Sequence, residues 1–198
     1  MKVLSLASLL LCSSAAMAHF TLDYPQSRGF DDDKEGTAPC GGFDTVANRT
    51  QFPLTNGFLQ INSRHVSAEI TINVVIGSNP VAADFTTAAG TPANSTSLKH
   101  PGNACFPLDL STFQGAANNT NATIQIVYNG GDSPLYQCSD VVLVTSAPSF
   151  DQTKCVNNDG STSTSNSTTN GTSAGTAISV KSTATAAAAL LIAVAMAF

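Results

Sequence analysis

Tryptophan is absent from this 198-residue chain, and tyrosine occurs only three times. A flat docking face of exposed aromatic rings, of the kind that grips crystalline polysaccharide, is therefore poorly provided for. Basic residues are few as well. Eight Lys and Arg stand against 13 Asp and Glu, for a net charge of −5, which leaves no basic footprint for nucleic acid. Five cysteines are present, but none are paired at the short spacing of a zinc knuckle. Helix signals are scarce, and the long apolar runs are confined to the two ends of the chain.

The amino-terminal run has the build of a secretory signal peptide: Lys2, an apolar stretch from Leu4 to Leu11, then Ala16-Met17-Ala18 with small residues where a signal peptidase reads. It is too short for a membrane span. Residues 1–18 are expected to be removed, leaving His19 as the first residue. At the other end, Ala184 to Phe198 is apolar and is preceded by a polar spacer and the small residues of "NGTSAG". That order signals a glycosylphosphatidylinositol anchor. Ser173 is the expected attachment site, with Asn170 as the alternative, and residues 174–198 would be removed. The stretch 156–173 is nearly all Ser, Thr, Asn and Gly. It cannot bury enough apolar surface to offset its ordering entropy, so it reads as a glycosylated stalk. The folded domain is then 19–155. The expected location is the outer face of the plasma membrane, or the cell wall.

Secretion fits the other marks. Glycosylation sequons stand at Asn48, Asn94, Asn118, Asn121, Asn166 and Asn170. With Cys12 lost, Cys40, Cys105, Cys138 and Cys155 remain, an even number in an oxidising compartment. Two disulfides follow, and of the three possible pairings Cys40–Cys138 with Cys105–Cys155 is expected.

Alternation marks the strands. "VSAEITINVVIG" places Val66, Ala68, Ile70, Ile72 and Val74 on one face. "ATIQIVYNGG", "LYQCSDVVLVTS" and "NGFLQIN" supply three more strands, punctuated by Gly, Pro and Asn. The fold class is all-β: an immunoglobulin-like antiparallel β-sandwich with long loops. The stretch from Thr21 to Asp44 shows no period and reads as a long loop pinned by Cys40. Asp31, Asp32 and Asp33 within it lack the spaced ligands of a calcium loop and read as a solvated acidic turn.

The three histidines are His19, His65 in "INSRHVSAE" and His100 in a loop. An amino-terminal His offers two nitrogen donors, its α-amine and its ring. With His65 they make three, a set that suits copper(II) in tetragonal geometry. This is the histidine-brace arrangement. The amine must lose its proton to bind, so affinity should fall in acid.

"HFTLDYPQSRGFDDDKEGTAPCGG", "SRHVSAEI" and "YQCSDVVLV" resemble three motifs of the fungal lytic polysaccharide monooxygenase-like proteins of the copper-acquisition type. The resemblance covers the ectodomain from His19 to Cys155 and extends to the stalk and anchor. It implies one copper ion per chain, held by His19 and His65, with an aspartate where the true oxidases place a tyrosine or phenylalanine. Asp140 is the expected carboxylate, since it shares a strand face with Cys138. Asp109 and Asp132 are the alternatives. A carboxylate on the metal favours copper(II) over copper(I), which suits holding copper better than cycling it. The expected role is therefore non-catalytic copper accumulation at the cell surface. Delivery to a reductase or membrane copper transporter, and involvement in cell-wall sensing or hyphal fusion, are roles the resemblance suggests. The rivals are an active copper-dependent polysaccharide monooxygenase and a metal-free wall or adhesion module.

Overall fold

A computed structural model describes residues 19–87 and 93–161. The expected signal peptide, the stalk beyond residue 161, Asn166, Asn170, Ser173 and the anchor tail lie outside them. Residues 156–158, expected to open the stalk, instead bond to the domain: Val156 N–H donates to Gln60 Oε1 at 2.9 Å, Asn157 Oδ1 accepts from Cys105 N–H at 2.7 Å and Asn158 N–H donates to the Asn103 carbonyl at 2.9 Å. The chain divides into two units, Met1–Ser165 and Asn166–Phe198, and the described residues all fall in the first. Among them, no helix is long and apolar enough to cross a membrane.

Eight strands follow in chain order: β1 (Phe20–Tyr24), β2 (Thr50–Pro53), β3 (Gly57–Ser63), β4 (Ala68–Ile76), β5 (Asn94–Leu98), β6 (Gly102–Leu108), β7 (Thr120–Asn129) and β8 (Leu135–Val144). One helical turn, α1 (Asp84–Thr87), and a 3-10 turn at Gln152–Lys154 complete the elements. A three-stranded sheet runs β1-β3-β6, and a five-stranded sheet runs β2-β8-β7-β4-β5. The sheets pack face to face as a sandwich. The pairs are antiparallel except β2 with β8, which is parallel, so the second sheet is mixed.

The period-2 residues form the core. Ile70, Ile72, Ile124, Ile126 and Tyr128 are fully buried between the sheets. Val66 departs from the expected face. The strand begins only at Ala68, and Val66 stands 72% exposed in the turn before it. β1 also departs from expectation, because the Thr21–Asp44 stretch starts as a strand. It is short and lies at a sheet edge, so its alternation spans too few residues to register. Its two ends are gripped by aromatic packing. Phe20 stacks on Tyr128 with centroids 4.8 Å apart, and Tyr24 packs on Phe58 and Phe150.

The loop after β1 folds back over the edge of β8. Arg28 N–H donates to the Cys138 carbonyl at 2.8 Å, and Tyr136 N–H donates to the Glu35 carbonyl at 2.8 Å. Gly41 lets the loop approach closely. Its φ is +64°, and a Cβ there would stand 2.6 Å from the Tyr136 carbonyl oxygen. The Cys40–Cys138 disulfide fastens the loop, and Cys105–Cys155 fastens the carboxy-terminal segment to β6. Both pairings are the expected ones.

Candidate metal centre

The β1–β3 ladder brings two of the three histidines to one end of the smaller sheet. Phe20 pairs with Ser63, and Arg64 N–H donates to the His19 carbonyl at 3.0 Å. His65 is the next residue, in the turn that leads to β4. His19 is buried and His65 is half-buried.

Each ring is oriented by a carbonyl. His19 Nε2 lies 3.2 Å from the Asp32 carbonyl oxygen, and His65 Nδ1 lies 3.1 Å from that of Gly130. A carbonyl can only accept, so the nitrogen facing it carries the proton. In its neutral form each ring then has its lone pair on the other nitrogen, Nδ1 in His19 and Nε2 in His65. The distinction matters for chelation. A terminal histidine can close a six-membered chelate ring through its own α-amine and Nδ1, while Nε2 lies too far around the ring. The two tautomers are those a brace requires. Orientation of a ligating imidazole through its second nitrogen is the usual device at metal centres.

A hydrogen-bond cluster fixes the His65 turn. Ser63 Oγ accepts from His65 N–H at 3.1 Å and donates to the His65 carbonyl at 3.0 Å. The Tyr128 hydroxyl lies 2.6 Å from the same oxygen, leaving the tyrosine as donor. Burial pushes the Tyr128 phenol up, with the bond to Ser63 working against it.

The carboxylates distribute differently from expectation. Asp140 has an organic cation as its partner. Its oxygens receive Arg28 Nε and Nη2 at 2.8 Å each, Thr123 Oγ1 at 2.6 Å and Ala47 N–H at 2.7 Å. Period 2 does place Asp140 beside Cys138, but on the face away from the sandwich core. Val141 and Leu143 fill the inner face, and the loop 25–49 covers the outer one. Four donors thus engage the carboxylate expected to meet copper, and its partner in the structure is Arg28. Asp109 lies next to the Leu108 end of β6, which pairs with Gly57, at the far end of β3 from Ser63. Six residues of strand, roughly 20 Å, separate it from His19. Asp132 lies in the β7–β8 turn, two residues after the Gly130 carbonyl that orients His65. Asp32 Oδ1 is 3.6 Å from His19 Nε2, on the protonated side of the ring.

Glu35 is the residue the sequence concealed. It follows the acidic turn in a charged run, yet it is 1% exposed. One helical turn, closed by Glu35 N–H on the Asp31 carbonyl at 3.0 Å, leaves Asp32 and Asp33 in solvent and turns Glu35 inward. Burial pushes its carboxyl up, against hydrogen bonds from Gln137 and the Phe20 N–H.

Among the described residues, no three His, Cys, Asp or Glu side chains converge as a metal site. His100 lies elsewhere, 3.6 Å from Asp159.

The family described as copper acquisition factor BIM1-like matches residues 17–160. The chain belongs to the BIM1-like family. Copper acquisition factor BIM1 of Cryptococcus neoformans var. grubii is 46% identical over 75% of this chain and 70% of its own length. The protein of the same name from Cryptococcus neoformans var. neoformans is 43% identical over 76% and 72%. The lytic polysaccharide monooxygenase-like protein X325 of Hypocrea jecorina is 26% identical over 78% of each chain. An AA10 lytic polysaccharide monooxygenase from Streptomyces lividans is a distant structural likeness, with TM-score 0.39 and 14% identity over 64% of this chain and 82% of that one. In this BIM1-like chain the sequons at Asn48 and Asn118 are exposed in loops, while Asn94 and Asn121 are half-buried in β5 and β7.

Proposed function

We propose that this BIM1-like protein binds one copper(II) ion at the cell surface and acts in copper acquisition without oxidising polysaccharide. The observation that carries the reading is the pair of complementary tautomers at His19 and His65. They direct Nδ1 and Nε2 towards ligation while two backbone carbonyls hold the other nitrogens. Once the bond before His19 is cut, its α-amine completes three nitrogen donors. Asp132 supplies the carboxylate, because its turn is the one that already touches His65. The names of the BIM1 relatives agree with copper as cargo. The anchor expected at Ser173 would keep the domain outside the membrane, where it could hand copper to a reductase or transporter.

Two features favour holding copper over redox catalysis. An anionic ligand stabilises copper(II), and among the described residues no aromatic platform surrounds the two histidines. Tyr128 is buried, Tyr24 and Tyr136 are half-buried, and Phe30 is the aromatic among the exposed large hydrophobics. Calorimetric titration with copper(II) tests the proposal. The processed chain should bind one equivalent, and a chain retaining one residue before His19 should lose the site. Millimolar binding indifferent to His65→Ala would defeat it and favour a metal-free wall module.

A second reading, copper-dependent polysaccharide oxidation, is favoured by the monooxygenase-like names of the X325 relatives. Oxidised oligosaccharides from copper-loaded protein with reductant and glucan or chitin, absent with His19→Ala, would establish it.

A further inference from the structure

β1 is an edge strand, and β3 satisfies only one of its edges. In an antiparallel pair, successive residues turn their N–H and C=O groups alternately towards and away from the partner strand. The His19 carbonyl faces β3, where it accepts from Arg64. Phe20 and Leu22 therefore face away, into the protein, where an unpaired peptide group would be costly.

No strand lies there to receive them. A single side chain takes that place. Gln137 reaches across from β8 in the opposite sheet and is 2% exposed. Its Nε2 donates to the Phe20 carbonyl at 2.7 Å, and its Oε1 accepts from Leu22 N–H at 2.9 Å. One primary amide thus presents the donor and acceptor that a neighbouring strand would. Glu35 completes the arrangement. Its Oε1 receives Gln137 Nε2 at 2.9 Å and Phe20 N–H at 3.4 Å. Tyr136 N–H, donated to the Glu35 backbone, keeps the two side chains together. The second oxygen, Glu35 Oε2, is buried with no hydrogen-bond partner among the described residues.

A buried carboxylate oxygen without a donor needs explanation. The group one residue upstream of Phe20 N is the nitrogen of His19. In the precursor it is a peptide nitrogen with one hydrogen. After cleavage it is a primary amine, which keeps two N–H donors even when its lone pair is on a metal. We propose that Gln137 and Glu35 form a clamp that positions the processed amino terminus for copper, with Glu35 Oε2 accepting from the new α-amine. The clamp ligates nothing. It holds the strand that carries the ligand, and its positioning role rests on the copper reading above.

The test uses the secreted, processed chain and two separate measurements. The first is hydrogen exchange of the Leu22 amide in copper-free protein. In Gln137→Leu it should quicken roughly tenfold or more, since a buried hydrogen bond is lost, while Ile126 in β7 stays protected. The second is copper(II) affinity by chelator competition, with electron paramagnetic resonance of the bound ion. Gln137→Leu should weaken binding roughly tenfold and spread the signal over more than one species. Glu35→Gln aims an amide donor at the amine and should weaken binding while leaving Leu22 exchange unchanged. If Gln137→Leu does not fold, Gln137→Glu removes the donor to Phe20 and keeps the acceptor for Leu22. Unaltered Leu22 exchange in Gln137→Leu, or unaltered stability in Gln137→Glu, which loses the bond to the Phe20 carbonyl, would overturn the clamp. Wild-type copper affinity in both variants would overturn its positioning role. Wild-type protein that binds no copper would defeat the copper reading itself, and exchange would still report whether the clamp exists.

Discussion

Arg28 and Asp140 form a two-toothed ion pair, Nε to Oδ2 and Nη2 to Oδ1 at 2.8 Å each, with both side chains removed from solvent. Arg28 also donates to the carbonyls of Phe43 and Asp44 and contacts Cys40 Sγ at 3.3 Å. One guanidinium therefore ties β8 to both halves of the loop whose acidic turn carries Asp32 and Glu35. The pair fastens the loop beside His19 and engages the Asp140 carboxylate on both oxygens.

Removing one member should be expensive, because the other is left charged and buried. Arg28→Ala is expected to cost about 3–5 kcal/mol, read by chemical denaturation. Asp140→Asn should lower stability yet leave the copper(II) affinity of the folded protein at the wild-type value. A collapse of affinity in Asp140→Asn would return Asp140 to the ligand set.

Acid should dissolve the same contribution. Burial alone would raise the Asp140 carboxyl, but hydrogen bonds from Arg28, Thr123 and the Ala47 N–H outweigh it and hold the group below its ordinary value of 3.8. A depressed carboxyl stabilises the fold above its unfolded value, and that stability is lost as pH falls through the folded one. The melting-temperature gap between wild type and Asp140→Asn should be constant from about pH 5 to 7 and narrow below about pH 4.

Copper binding should show a different dependence, set higher on the pH scale. The α-amine has an ordinary value of about 7.7–8.0, and copper must displace its proton. Apparent affinity should fall about tenfold per unit as pH drops below that value. Competition titrations across pH 5.5–8.5 would measure it, and a flat profile would exclude the amine as a ligand.

Tyr128 links the core to the second histidine through Ser63. Tyr128→Phe keeps the stack on Phe20 and removes the donor to Ser63 Oγ. A loss of about 1–2 kcal/mol is expected, with a smaller weakening of copper affinity as the His65 turn loosens. Denaturation and chelator competition on one preparation would separate the two effects.

The Cys40–Cys138 bridge closes 98 residues. Replacing both cysteines with serine should cost about 2–5 kcal/mol. Proteolysis should then cut first within the loop 25–49, since its other fastenings, the Arg28–Asp140 ion pair and hydrogen bonds, are non-covalent. Cleavage that begins elsewhere would show that Arg28 suffices to hold it.

The sequence by itself determined the sandwich class, because alternation in β4 and β7 is local and survives without a partner. It also determined the disulfide complement, since an even set of four cysteines after Cys12 is written in the chain. Only the tertiary structure decided what each carboxylate does. Asp140 meets Arg28, Glu35 turns inward beneath β1, and Asp132 shares a turn with the carbonyl that orients His65. A carboxylate's role depends on which cation or donor the fold brings within about 3 Å of it. Those partners are 112 residues away for Asp140 and 102 for Glu35. No local pattern encodes such a meeting, because a period of two fixes only the side of the sheet and leaves open what covers it.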